Sequence, residues 1–168
     1  MSESISSIIL TSALFLLMFA LLASFLIVAN NVTGNYEKVR FNDIANYIAR
    51  NIVDITTLCY ESSYDNMSIG IVLQVPTEVN NKGYSINIII ENNVYEVLVV
   101  SDTNSFVYGK APLWVTTGTQ IQLSGTVIVP SIGAVYCKSK IYSGTEKIVV
   151  WASKQNGIIV AGIGTLKL

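Results

Sequence analysis

The sequence contains no histidine, and Asp, Glu, Lys and Arg together make up only 12% of its 168 residues, about half the usual share. Without His the chain lacks the commonest metal ligand and the usual general base near neutral pH, which removes most catalytic constellations at once. Ten basic residues face eleven acidic ones for a net charge of −1. The basic residues never cluster, so neither nucleic acid nor an anionic lipid surface has an electrostatic footprint. The acidic residues Asp54, Glu61, Asp65, Glu78, Glu91 and Glu96 are scattered, with no calcium-loop spacing and no pair on one expected element. Gly162-Ile163-Gly164 lies in a strand-like run with no helix after it, so it reads as a close backbone approach or a bulge and not as a phosphate cradle. The expectation is therefore no enzyme: no catalytic residue, no metal, no cofactor and no small-molecule substrate.

Cysteine is also scarce. Cys59 and Cys137 are the only thiols, and with no His beside them they make neither a closed zinc site nor an activated nucleophile. Two readings stay open. As a disulfide in an oxidising exterior they would close a loop of about 79 residues and add roughly 4 kcal/mol by chain entropy. As free thiols they are two small apolar side chains in a core.

Apolar residues are plentiful, at 51%, and they are unevenly placed. From Ile8 to Ala29 only Thr11, Ser12 and Ser24 are polar, and no charge occurs between Glu3 and Glu37. As a helix this run reaches about 33 Å, enough to span a bilayer. A cleavable secretory signal would carry a basic start, a shorter apolar core and a small-x-small site, whereas Met-Ser-Glu-Ser opens this chain and Ile27-Val28-Ala29 closes the run. The expectation is one transmembrane anchor through residues 8–29. Lys38 and Arg40 follow the span with no basic residue before it, which by flanking charge places the rest of the chain in the cytoplasm. Long domains translocate largely regardless of flanking charge, and an Asn-, Thr-, Ser- and Tyr-rich composition with a pairable cysteine couple favours the outside, which is the expected side. The sequons at Asn31 and Asn66 are N-glycosylation candidates on that side.

After the span, Asn30-Asn31-Val32-Thr33-Gly34-Asn35 reads as a turn-prone break. Phe41, Ile44, Ala45, Ile48, Ile52 and Ile55 then recur at helical spacing, with Asp43, Asn46, Arg50 and Asp54 opposite. This predicts a short amphipathic helix. Beyond Cys59 the period becomes two, and turn signals separate runs at 68–75, 84–91, 94–101, 105–108, 113–116, 121–129, 134–142, 147–152 and 158–166. The fold class expected is mainly β: an immunoglobulin-like β-sandwich preceded by one N-terminal transmembrane helix and a short amphipathic helix. The expected divisions are 1–34 anchor and linker, 35–60 amphipathic helix or stalk, and 61–168 sandwich.

The clearest hairpin is Tyr84 to Ser101, with Asn92-Asn93 supplying the two left-handed residues of a tight turn. Its register sets Ile86, Ile88 and Ile90 against Val99, Val97 and Tyr95 on one face. The other face mixes Ile89, Leu98 and Val100 with Asn87 and Glu96, too apolar for a simple wet surface. Ile86, Ile88, Ile89, Ile90, Leu98 and Val100 are therefore candidate protein-interface residues, an ordinary partial burial being the plain alternative. Tyr84, Tyr95, Tyr108, Tyr136 and Tyr142 either add contact area at low entropic cost or pack at alternate positions within the sheets.

The opening Met-Ser-Glu-Ser-Ile-Ser-Ser-Ile-Ile-Leu-Thr-Ser-Ala, leading straight into one apolar helix, a short helix and a β domain, resembles the archaellum (archaeal flagellum) accessory proteins of the FlaF and FlaG group. That resemblance implies a FlaF-type stator component of the motility apparatus, held in the cell membrane, with an immunoglobulin-like domain under the S-layer that grips the S-layer protein so that the motor turns against something fixed. It also implies other archaellum components as partners, and a homodimer is a natural arrangement for such a grip. A FlaG-type partner, or a pilin- or archaellin-like filament subunit polymerising through its N-terminal helix, is the alternative. In archaeal pilins and archaellins a basic residue and a Gly or Ala precede the helix as a processing site, and neither stands before Ile5 here.

Overall fold

A computed structural model describes residues 2–144 and 146–166 of the chain. Met1, which opens the N-terminal motif, lies outside the described residues. The chain forms two compact units, Met1–Tyr36 and Glu37–Leu168. Helix α1 (Ser2–Glu61) contributes to both.

The expected break at residues 30–35 is not there: α1 passes through it, so the amphipathic helix is the later part of one element and not a separate one. Each Asn or Gly in the stretch costs a propagating helix at most about 1 kcal/mol, whereas ending one helix and nucleating another costs considerably more. No proline interrupts the run, and Thr33 donates its hydroxyl to the Ala29 carbonyl at 2.9 Å, satisfying the side chain within the helix.

Within the second unit, α1 buries Glu37, Phe41, Ile44, Ala45, Ile48, Ala49, Ile52, Ile55, Thr56 and Cys59, a stripe at three- and four-residue spacing. Ile48, Ile52 and Ile55 are wholly enclosed, and each stabilises the fold by roughly 1.5–3 kcal/mol relative to exposure. Arg50 and Asp54 are exposed on the far side. At the end of the helix the Ser62 amide donates back to the Leu58 carbonyl, and the Lys154 ammonium donates to the Ser62 carbonyl at 2.6 Å. A cation from a distant strand thus meets the negative end of the helix.

Ten strands follow: β1 (Met67–Val72), β2 (Tyr84–Glu91), β3 (Val94–Ser101), β4 (Tyr108–Pro112), β5 (Gln120–Gln122), β6 (Gly125–Val129), β7 (Gly133–Cys137), β8 (Lys140–Tyr142), β9 (Lys147–Gln155) and β10 (Ile158–Leu166). They form a four-stranded sheet ordered β4-β3-β2-β8 and a six-stranded sheet ordered β1-β9-β10-β7-β6, with β5 also paired to β10. Every ladder is antiparallel except β5 with β10. Helix plus two sheets matches the expected class in outline. The runs expected at 121–129 and 134–142 each divide in two. Leu123 and Ser124 separate β5 from β6, which opens on Gly125 with φ of 103°, and β7 and β8 join different sheets. The run at 113–116 is not a strand.

Asparagine makes many of the turns. Asn92 and Asn93, at φ of 49° and 64°, join β2 to β3 in the expected register, with Ile86 opposite Val99, Ile88 opposite Val97 and Ile90 opposite Tyr95. Asn80 and Asn81, at φ of 54° and 57°, make a second tight turn bridged by Val79 and Lys82.

The main core unites the α1 stripe with Ile86, Ile88, Val97, Val99 and Ile141 of the smaller sheet and Ile148, Val150, Ala152, Ala161 and Ile163 of the larger. The helix approaches β4 so closely that a Cβ on Gly109 would lie 2.3 Å from backbone atoms of both Phe41 and Asn42. The Asn42 carboxamide oxygen accepts the next amide, that of Lys110, at 3.0 Å. A smaller cluster of Val129, Val135, Cys137, Val149 and Trp151 is assembled from β6, β7 and β9 of the larger sheet. Gly162 and Gly164 on β10 fulfil the close-approach reading: added Cβ atoms would meet the carbonyl oxygens of Gln122 at 2.7 Å and Tyr136 at 2.6 Å.

Candidate interaction surfaces

The first candidate surface is α1 before residue 30. Its best 18-residue window has a mean hydropathy of 2.6 and none of it is buried. Leu10, Leu16, Phe19, Leu22, Phe25 and Leu26 stand exposed at successive angles around the helix. By length and composition this is a helix able to cross a membrane. Two of its three polar side chains need no water: the Thr11 and Ser24 hydroxyls donate to the carbonyls of Ser7 and Ala20, four residues back. Asn31 is exposed on the same helix two residues beyond the apolar run, whereas Asn66 is exposed at the entry to β1 with φ of 68°.

The second is the outer face of the smaller sheet. Its cross-strand rows read Tyr142, Ser85, Val100, Tyr108 and then Lys140, Asn87, Leu98, Lys110, with Ile89, Glu96 and Pro112 in the next. The Lys140 ammonium stands 4.8 Å from the Tyr142 ring centroid and the Lys110 ammonium 5.9 Å from that of Tyr108. Lys110 also pairs with Glu91 and, at 3.4 Å, with Glu96. The Lys110 hydrogen bond holds the Glu91 carboxyl below its ordinary value, and Glu91 in turn raises the ammonium.

The six apolar interface candidates divide. Ile89, Leu98 and Val100 do lie together on this face, each half-buried, and Ile90 is exposed at the hairpin end. Ile86 and Ile88 are corrected: they are core residues with 0% and 4% exposure, pointing at the helix side of the sheet, so no partner reaches them. Alternation along β2 puts the two sets on opposite faces. Tyr84 is corrected likewise, since it is enclosed, packs its ring 5.7 Å from that of Phe41, and donates its hydroxyl to the Pro76 carbonyl. Burial pushes its phenol up to about 12. Tyr108, Tyr136 and Tyr142 remain exposed.

The disulfide reading is also corrected. Cys59 and Cys137 are free and buried, Cys59 in the main core and Cys137 in the smaller cluster. Burial raises both thiols, opposed for Cys59 by the Lys154 charge and for Cys137 by Trp151, so neither is a ready nucleophile. Among the described residues no group of three or more Cys, Asp or Glu is placed to hold a metal ion.

Composition gave no hint of one feature, the setting of Glu37. This carboxylate is 1% exposed at the start of the buried stripe, where Asn80 and Lys82 each donate to one of its oxygens at 2.8 Å. Burial resists its ionisation, but those two hydrogen bonds and the Lys82 charge outweigh that and hold the carboxyl below its ordinary value. The signal was the Asn80-Asn81 pair, a turn like Asn92-Asn93, which points Asn80 and Lys82 at the helix.

Comparison with known proteins returns no match: no family model fits the chain, and neither the curated proteins nor the solved structures contain a similar one.

Proposed function

We propose that this chain is a single-pass, membrane-anchored structural and binding protein, with an immunoglobulin-like β domain outside the cell. Its place is the archaellum stator, as a FlaF-type component that binds the S-layer protein. The supporting observation is the change of character along α1: an apolar run exposed on all sides, and then a stripe that is the core of a β domain. Only a solvent of hydrocarbon makes the first part stable. The domain then has its partners outside the lipid, and the tyrosine- and lysine-bearing outer face of the smaller sheet, with Ile89, Leu98 and Val100, is the surface for them or for a second copy. The test uses full-length protein in detergent, immobilised and offered isolated S-layer and archaellum components. Retention of S-layer protein is expected, and retention of neither removes the reading. Protease added to whole cells should remove the β domain; its protection there, with cutting in inverted vesicles, would reverse the orientation.

A filament subunit is the second reading, favoured by the absence of a break in α1 between its bare and its buried parts. Fibres of full-length protein, seen by electron microscopy after detergent removal, would replace the stator by this alternative.

A further inference from the structure

The larger sheet carries a cleft that the proposed function does not use. Its floor is the face of four neighbouring strands, β1, β9, β10 and β5, opposite the main core. Of the residues that line it, Ser68, Ser153, Val160 and Gln120 form one row paired across these strands, and Trp151 and Gln122 belong to the next. Gln155 on β9, opposite Ile158, begins a third. One wall is the β6 strand, with Thr126 and the outward Ile128, which is 75% exposed. The hollow has a volume of about 690 Å³, within the size range of small-ligand sites.

Its lining is selective in what it leaves out. Among the described residues no Asp, Glu, Lys or Arg contributes to it, so a charged ligand would lose hydration with no opposite charge to replace it. The polar groups are hydroxyls and carboxamides, each able both to donate and to accept. Ser68 and Ser153 stand on adjacent strands, at the interstrand spacing of about 4.8 Å, and Gln120, Gln122 and Gln155 stand further along the floor. Ser68 and Ser153 already share a hydrogen bond at 2.9 Å, which fixes their oxygens and leaves each with further hydrogen-bonding capacity. Gln122 is steadied by donating to the Ser124 carbonyl at 2.8 Å. Ile128 and Ile158, the latter 51% exposed, give the rim apolar side chains for the C–H faces of a pyranose.

We infer that this cleft binds a neutral oligosaccharide, its hydroxyls taken up by the Ser68–Ser153 pair and by Gln120, Gln122 and Gln155, and its ring faces by Ile128 and Ile158. The site is independent of the stator reading and of the outer face of the smaller sheet. Trp151 forms the floor, and its indole N–H has no partner but the weakly accepting Cys137 sulfur beside it, so its emission reports on occupancy.

The experiment uses full-length protein in an amine-oxide detergent, which has no sugar headgroup, in a Trp114→Phe background that leaves Trp151 as the sole indole. Neutral di- and trisaccharides of glucose, mannose, galactose and N-acetylglucosamine are titrated while Trp151 emission and saturation-transfer NMR are followed. Saturable binding of at least one of them is expected, weakened tenfold or more by the pair Gln120→Ala and Gln155→Ala at an unchanged melting temperature. No binding to any of these sugars overturns the inference. Binding that survives the two substitutions, or an equal response to their uronic-acid analogues, overturns it as well. If the doubly substituted protein melts lower, Ile128→Lys, on an exposed side chain, takes its place with the same tenfold criterion.

Discussion

Between Ile8 and Ala29, α1 exposes Leu, Phe and Ile side chains around its whole circumference, whereas from Glu37 to Cys59 it buries one stripe and shows Asp43, Asn46, Arg50 and Asp54 to water. The backbone hydrogen bonding is the same in both stretches, so what differs is the surroundings each is written for. The second stretch is stabilised by two sheets. The first is exposed all round, and by length and composition it is apolar enough to cross a membrane.

The sharpest way to break this contrast is to place the same charge in each part. Ile48→Asp should cost more than about 4 kcal/mol and unfold the β domain, because a carboxylate replaces a fully enclosed side chain. Leu16→Asp should leave the melting transition of the domain where it was and lower recovery in the membrane fraction. Circular-dichroism melts and fractionation distinguish the two outcomes, and equal loss of domain stability in both would erase the distinction.

Next in size is the contact of helix with strand. Gly109→Val drives a side chain into the backbone of Phe41 and Asn42 and should cost about 2–4 kcal/mol, whereas Gly34→Val, where an added Cβ meets nothing within 4 Å, should leave the domain melt unchanged.

A smaller effect belongs to Glu37. Its carboxyl is lowered in the folded state, so its contribution is complete above the ordinary value of 4.5 and is lost as the pH falls through the folded value. Glu37→Gln should cost about 1–3 kcal/mol at pH 7, with the gap to the parent closing as the pH falls below 4.5 and through the lowered folded value. A gap that is constant across this range would assign the loss to packing and not to charge.

The smallest effect expected is zero. With Cys59 and Cys137 free in separate clusters, dithiothreitol should not move the melting temperature, and both thiols should react with a maleimide only after denaturation.

Much of this arrangement was legible where one local rule governs. The helical stripe from Phe41 to Ile55 follows from the 3.6-residue period alone, and the β2–β3 register from Asn92-Asn93 with alternation on either side. What escaped depends on distant partners. The continuity of α1 through Asn30 to Asn35 required weighing propagation against a second nucleation, which turn propensity ignores. Ile86 and Ile88 look as sticky as Ile89 in a string of isoleucines, and only the face they share with the helix separates them. Glu37 reads as the first charge after the span until Lys82, 45 residues on, is brought to it. The cleft draws on five strands from Ser68 to Val160, with side chains that are unremarkable one at a time.

The docking of α1 against Gly109 bears on where the protein can be cut. A protease acting between Ala29 and Glu37 would release a β domain with its central helix intact, a shed form free to diffuse. Scission a single turn beyond Phe41 would take with it the ring that Tyr84 packs on, and leave the sheets holding only the later turns of the stripe, from Ile48 to Cys59.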